Sequence, residues 1–292
     1  MQKILLIGQG SLGEYIKNQA ILKNYKIVGT FNDSKKPNCL FLNICEINSI
    51  EKIVKNVNPD YIINCASSGD VDYLESHPEI AFNVNSLGAE NIAKISHENK
   101  IRLIHISTDS VFDGIKGNFK ETDSPNPVNI YGKSKYEGEK NILKICNDFI
   151  IIRTNFYGLY STRKYFFNWI LDNIKKNQSF LGFDDVIFTP LDVSTLSKMI
   201  ILSLNINFNG ILHFSSDTPI SKYNFIKNTL NFFELKNSLK KGSIESAQSL
   251  ALRPKNTSLN NEKSKEFIKI QIPSYNDWFK QNKDLINRYL NN

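Results

Sequence analysis

Cysteine is sparse in this 292-residue chain and forms no pattern. The four thiols, Cys39, Cys45, Cys65 and Cys146, make no C-x-x-C, and no two histidines stand at ligand spacing. Both absences argue against a zinc cluster, and the expectation is reduced, buried thiols and no metal site. A run of Lys and Arg with interleaved aromatics is also missing. The net charge of +7 is spread out, with small clusters at Lys35-Lys36 and Lys240-Lys241, so nucleic acid is not an expected partner. A mild positive field suits anionic small molecules instead. Apolar runs such as Met199-Leu204 are far too short to cross a bilayer. No basic n-region or cleavage site precedes the first apolar strand, and the expected location is the cytoplasm. No repeat or low-complexity tail appears. With 41% hydrophobic residues the chain can bury one large core or two coupled ones.

What is present begins at once. Lys3-Ile7 reads as a buried parallel strand that runs into Gly8-Gln9-Gly10-Ser11-Leu12-Gly13 and then a helical pattern to about Leu22. Gly8 allows a tight turn, Gly10 lets backbone approach a pyrophosphate, and Gly13 lets the helix pack close to the sheet. The amides and partial positive charge of that helix N-terminus suit phosphate. A second strand follows at Tyr25-Phe31, and Asp33 stands twenty residues past Gly13. This context predicts a dinucleotide site. Asp33 would accept from a ribose 2′-hydroxyl, whereas Lys35 and Lys36 would pair with a 2′-phosphate, near Asn32. NADP(H) is the expectation and NAD(H) the alternative.

Strands at Leu40-Asn43, Tyr61-Cys65, Arg102-Ser107 and Phe149-Arg153 alternate with helices at Ile47-Val57, about Glu79-Asn99 and Tyr131 to about Ile145. This rhythm predicts an α/β fold, a Rossmann-like doubly wound parallel sheet, over residues 1–154. Small residues after the fourth strand, Cys65-Ala66-Ser67, would let a ligand pass close to the backbone. Asn85 could face the same pocket. Beyond Thr154 the pattern turns aromatic and mixed, with helices at Val193-Leu204 and Lys222-Phe233 and a strand at Ile211-Phe214. Residues 155–292 are expected to form a smaller, mainly substrate-binding domain, with some segments packing back on the first.

The chemistry concentrates in Ile104-Lys140. Thr108 ends an apolar strand, and Tyr131 and Lys135 are four residues apart, so phenol and ammonium share one helix face. A hydroxyl, a phenol and an ammonium that converge would suit polarising and protonating a carbonyl oxygen.

These motifs together resemble the extended short-chain dehydrogenase/reductase superfamily, and within it the dTDP-4-dehydrorhamnose reductase family. The likeness is carried by Asn64-Cys65-Ala66 with Val71-Asp72 and Glu75, by Ser107 to Gly114, and by Tyr131-Gly132-Lys133-Ser134-Lys135 with Gly138-Glu139-Lys140. Arg153-Thr154, Pro190, Gly210 to Phe214, and Arg253-Pro254 with Asn256 and Leu259 extend it over nearly the whole chain. The resemblance implies NAD(P)H-dependent reduction of a 4-keto group on a nucleotide-activated deoxysugar, in a cytoplasmic protein with a homodimer as one state. It implies that Thr108 binds the keto oxygen, that Tyr131 donates the proton, and that Lys135 holds the nicotinamide ribose and lowers the Tyr131 pKa. It places Gly8, Gly10, Ser11, Leu12, Gly13, Asn32, Lys35, Asn43, Cys65, Ala66, Ser67 and Asn85 at the cofactor. It places Ser110, Val111, Asn155, Phe156 and Arg253 at the substrate, with Arg253 on its pyrophosphate. The glycine loop is one residue shorter than the family's usual G-x-x-G-x-x-G, Ser110 replaces a usual aromatic, and Phe156-Tyr157 stands where a Trp often packs on the sugar. The chain is also similar to the regulatory beta subunit of methionine adenosyltransferase, which implies a non-catalytic NADP-binding subunit as the alternative.

Overall fold

The strand Lys3–Ile7 (β1) is an inner strand of a seven-stranded parallel sheet in the computed structural model, which describes residues 1–33, 35–160 and 165–291. The chain leads from β1 through a helix Ser11–Leu22 (α1) to Lys26–Phe31 (β2) and Cys39–Phe41 (β3), filling one side of the sheet. After the helix Ile47–Val57 (α2) it crosses to the other side of β1 as Tyr61–Asn64 (β4), and continues outward as Arg102–Ile106 (β5) and Phe149–Thr154 (β6). The reversal between β1 and β4 opens a crevice at their carboxyl ends, the place where doubly wound sheets take ligands. Gly8 follows β1 and Cys65 follows β4, so both border that crevice.

Alternation along β1 sends Ile4 and Leu6 to one face and Leu5 and Ile7 to the other, and each pair joins a separate apolar core. Between β4 and β5 lie the helices Val71–Ser76 (α3), Pro78–Phe82 (α4) and Gly88–Glu98 (α5). The expected single helix is interrupted: a π turn at Asn83–Leu87 joins α4 to α5 and carries Asn85. Such turns concentrate at functional sites because the extra residue redirects a side chain. The helix Ile130–Ile145 (α6) then connects β5 to β6. Its start is pinned three ways: the Asn129 side chain accepts from Gly132 N–H at 2.8 Å, Glu75 accepts from Ile130 N–H at 2.9 Å, and Asn129 Nδ2 donates to Leu252 carbonyl at 2.8 Å.

The remainder comprises Phe156–Tyr157 (β7), Phe166–Lys175 (α7), Phe180–Phe183 (β8), Ile187–Phe188 (β9), Leu191–Asp192 (β10), Val193–Ser203 (α8), Gly210–Phe214 (β11), Ile220–Ser221 (β12), Lys222–Phe232 (α9), Leu239–Gly242 (β13), Glu262–Phe267 (α10) and Tyr275–Asn291 (α11). Two of these rejoin the first unit. Strand β11 pairs in parallel with β6 at the sheet edge, and α8 packs against α1 through Leu196, Met199 and Ile200. The rest builds an aromatic core of its own from Phe167, Phe180, Phe225, Trp278 and Phe279.

Candidate active site

Thr108 lies two residues past the end of β5 and opens a short 3₁₀ turn, Asp109–Val111. Its Oγ1 accepts from Ser110 N–H at 3.1 Å and donates to Asp109 Oδ1 at 3.2 Å. Tyr131, half-buried in the first turn of α6, brings its phenol beside the Thr108 and Ser67 hydroxyls. Burial pushes the phenol up to about 12, while the two hydroxyls pull it the other way. In the free protein the cost of burying a phenolate exceeds what these two hydroxyls return. At neutral pH Tyr131 holds its proton, the state a general acid needs.

Lys135 is buried one turn further along α6 and donates to the Ile106 carbonyl at 2.7 Å. Burial lowers it to about 8, with the Glu139 carboxylate and Cys65 opposing. Beneath it, Glu139 accepts from Arg153 Nη2 at 2.7 Å and from the Ser107 hydroxyl, and both members of this ion pair are sealed from solvent. His105, 3.4 Å from Lys135, is held neutral by burial and by that ammonium.

Other predicted site residues fall into several roles. Asn85 is fully engaged: its Oδ1 accepts from Ser67 Oγ at 3.1 Å and Ser68 N–H at 3.0 Å, and its Nδ2 donates to Ser68 carbonyl and Ser134 Oγ, both at 3.0 Å. Ser134 in turn bonds the Tyr131 carbonyl at 2.9 Å. Asn85 thus braces Ser67 against the Tyr131 turn rather than offering a free amide. Asn155 donates to Asp109 Oδ2 at 2.9 Å, and Thr257 donates to the same oxygen at 2.7 Å. Ser110 lies half-buried near Asp109, and Phe156 is half-buried against Tyr165. The Val111 side chain is buried with Phe112, Phe119 and Leu259, so it supports the site from below. Arg253 pairs with Asp72 at 2.8 Å. Asn43 caps the turn into α2 by accepting from Cys45 N–H, and Leu12 is buried in the core under α1.

At the crevice, Gly8 has φ +82 and a Cβ there would stand 2.7 Å from Ala66 N, so close approach of the two strand ends requires glycine. A Cβ at Gly13 would stand 2.8 Å from the Gly8 carbonyl. Gly10 differs: no protein atom lies within 4 Å of a Cβ built there. Ser11 Oγ, in the first turn of α1, is buried and has no protein partner. An orphaned hydroxyl, an open glycine and a helix N-terminus fit a dinucleotide pyrophosphate. Asn32 and Lys35 are exposed past β2, where Asn32 bonds Asp33 at 2.7 Å and Lys36 pairs with Glu14 at 3.0 Å. A cavity of about 480 Å³ runs between Ser11, Lys36 and Tyr160, beside the glycine loop and away from Tyr131. Cys65 and Ala66 are half-buried on the opposite wall of the crevice. Gly10→Ala should leave the melting temperature of the free protein nearly unchanged while weakening NADPH binding about tenfold or more, since the methyl would occupy ligand space. Titration followed by nucleotide fluorescence, with melting curves of both forms, checks this.

Sequence reasoning did not single out His105, and it treated Ser134 and Glu139 only as parts of a motif. Among the described residues no group of three or more His, Cys, Asp or Glu could hold a metal ion, and no helix is long and apolar enough to cross a membrane.

The family described as RmlD substrate binding domain matches residues 1–290. The dTDP-4-dehydrorhamnose reductase of Bacillus anthracis, solved in complex with NADP, superposes with a TM-score of 0.88 at 28% identity, covering 96% of this chain and 98% of that one. A probable low-salt glycan biosynthesis reductase, Agl14, of Haloferax volcanii is 29% identical over 74% of this chain and 75% of its own. The methionine adenosyltransferase 2 subunit beta of Bos taurus is 27% identical over 88% of this chain and 80% of its own.

Proposed function

Because the chain belongs to the RmlD substrate binding domain family, we propose that it is an NADP(H)-dependent reductase of a 4-keto-6-deoxy nucleotide-sugar. The observation that carries this reading is the placement of the Tyr131 phenol beside the Thr108 and Ser67 hydroxyls, with the Lys135 ammonium one helical turn away. A reduced nicotinamide, when bound, supplies the hydride. Ser11 and the backbone around Gly10 would hold its pyrophosphate, and Lys135 would hold its nicotinamide ribose. The Thr108 hydroxyl turns its hydrogen from Asp109 to the keto oxygen. Tyr131 delivers the proton to that oxygen as the carbonyl carbon becomes tetrahedral. Lys135, near the phenol, stabilises the phenolate left behind. Ser67 and Asn85 hold the phenol's surroundings rigid, which keeps donor and acceptor in line.

A second reading is a non-catalytic cofactor-binding subunit, favoured by the likeness to the methionine adenosyltransferase beta subunit over 88% of the chain. The two separate in one experiment. Absorbance of NADPH is followed with a panel of 4-keto-6-deoxy nucleotide-sugars, starting with dTDP-4-dehydrorhamnose. Consumption with product formation supports the reductase. Tight NADPH binding without consumption, together with recovery of a partner enzyme during purification, supports the regulatory reading.

A further inference from the structure

Asn64 ends β4, and His105 stands beside it on β5, where the register pairs the two residues. Both are buried. The backbone fixes which end of the Asn64 amide is which. Its Oδ1 accepts from Ala66 N–H at 3.0 Å, and only the oxygen of an amide can accept. The other end, Nδ2, is a donor, and it faces His105 Nδ1 at 3.0 Å. Nδ1 must then accept, so the one hydrogen of the neutral ring sits on Nε2. On the other side of β5 the register sets Ile151 opposite His105, with no polar side-chain atom to alter that choice. Nε2 lies 3.4 Å from Lys135 Nζ. Two donors therefore meet, a ring N–H and an ammonium, at a separation longer than a good hydrogen bond.

We propose that Asn64 and His105 are positioning residues that set the charge state of Lys135: the amide keeps the ring hydrogen on Nε2, and that N–H opposes the ammonium and favours the neutral amine. An amine has a lone pair to take the Nε2 hydrogen; an ammonium has none. The other groups around Lys135 do not make this distinction by contact. Glu139 on the same helix favours the ammonium, but its carboxylate is shared with Arg153 of β6. The Cys65 thiol after β4 and the Tyr131 phenol on α6 are both raised to about 12, so both are uncharged at neutral pH. The Ile106 carbonyl accepts from either form of the lysine. Among the described residues His105 is the only side chain within hydrogen-bonding distance of Nζ. Burial lowers Lys135 to about 8, and the ring N–H acts in the same sense. The consequence for catalysis rests on the reductase reading above, in which the charge on Lys135 supports the phenolate.

The test is read by NMR on the full chain, isotope-labelled at histidine nitrogens and lysine Cε, and so needs no turnover. The two signals are those lost in His105→Phe and Lys135→Met. In the wild type the ring should show hydrogen on Nε2 and a bare Nδ1 from about pH 6 to 9. Asn64→Asp replaces the donor by an acceptor of the same shape, so the hydrogen should move to Nδ1 and Lys135 should donate to Nε2. The lysine midpoint should then rise by about one pH unit or more, a tenfold change in proton affinity. Asn64→Ser adds no charge, so a rise there cannot come from a new carboxylate. It should release the ring in the same sense with a smaller rise, and it serves if the aspartate variant melts early. A wild-type ring with its hydrogen on Nδ1, or an unchanged lysine midpoint in both variants, overturns the proposal. The alkaline limb of turnover should follow the lysine midpoint. A chain that turns over no keto-sugar removes the reductase reading, and the two NMR readouts still decide what Asn64 and His105 do.

Discussion

Tyr131→Phe should lower turnover with the keto-sugar at least about 100-fold while NADPH affinity stays within a few fold, because the change removes one oxygen and the general acid with it. The phenol is well placed to be missed. It is beside the Thr108 and Ser67 hydroxyls, and burial keeps it protonated up to about 12. The Lys135 ammonium donates one of its three N–H groups to the Ile106 carbonyl. The pH dependence adds a second readout. Lys135, lowered to about 8, loses its proton as pH rises through that value, so wild-type turnover should fall on the alkaline side of about 8 although Tyr131 remains protonated. As a stability term the sign is opposite. The buried ammonium costs stability below about 8, and the cost fades as pH rises toward the unfolded value of 10.5. Stopped-flow and steady-state rates across pH 6–10 test the catalytic half, and turnover of the phenylalanine variant equal to wild type would remove Tyr131 from the role.

Glu139→Ala should be the most damaging single change to the fold, about 3–5 kcal/mol, because it strands the Arg153 guanidinium in the interior without its carboxylate. The pair is sealed, with side-chain exposures of 2% for Arg153 and 0% for Glu139, and the guanidinium also lies 5.1 Å from the Phe112 ring centroid. Loss of that magnitude is a large share of what a protein of this kind has in reserve. Urea unfolding with the midpoint and slope reported separately measures it. A paired variant, Glu139→Leu with Arg153→Met, should recover much of the loss, since apolar replacement of a whole buried ion pair is often neutral. Removing Glu139 also removes the carboxylate that supports the Lys135 ammonium, so any folded fraction should show its alkaline loss of rate at lower pH than wild type. An alanine variant as stable as wild type would show that Arg153 finds other partners.

Much of the fold was legible because its signals are local. A strand buried on both faces is an apolar run, a phosphate turn is a spacing of glycines, and one helical turn fixes Tyr131 relative to Lys135. The details of the site were less legible. Asn85 was placed at the cofactor, yet all four of its hydrogen-bonding positions are filled by Ser67, Ser68 and Ser134. Val111 was placed at the substrate, yet its side chain completes a small core with Phe112 and Phe119. Which partner satisfies a polar atom depends on what stands opposite, and sequence spacing does not carry that.

By itself, then, the chain's order of residues determined the parallel βα rhythm, the glycine turn after β1 and the shared face of Tyr131 and Lys135, since each follows from backbone periodicity within a few residues. Only the tertiary structure decided that β11 would complete the sheet beside β6, that α8 would cover α1, that a π turn would aim Asn85 at Ser67, and that Thr257 would reach Asp109 across 148 residues. Those outcomes depend on which apolar faces and polar atoms remain unpartnered once the local elements have formed, a condition set by the whole chain at once.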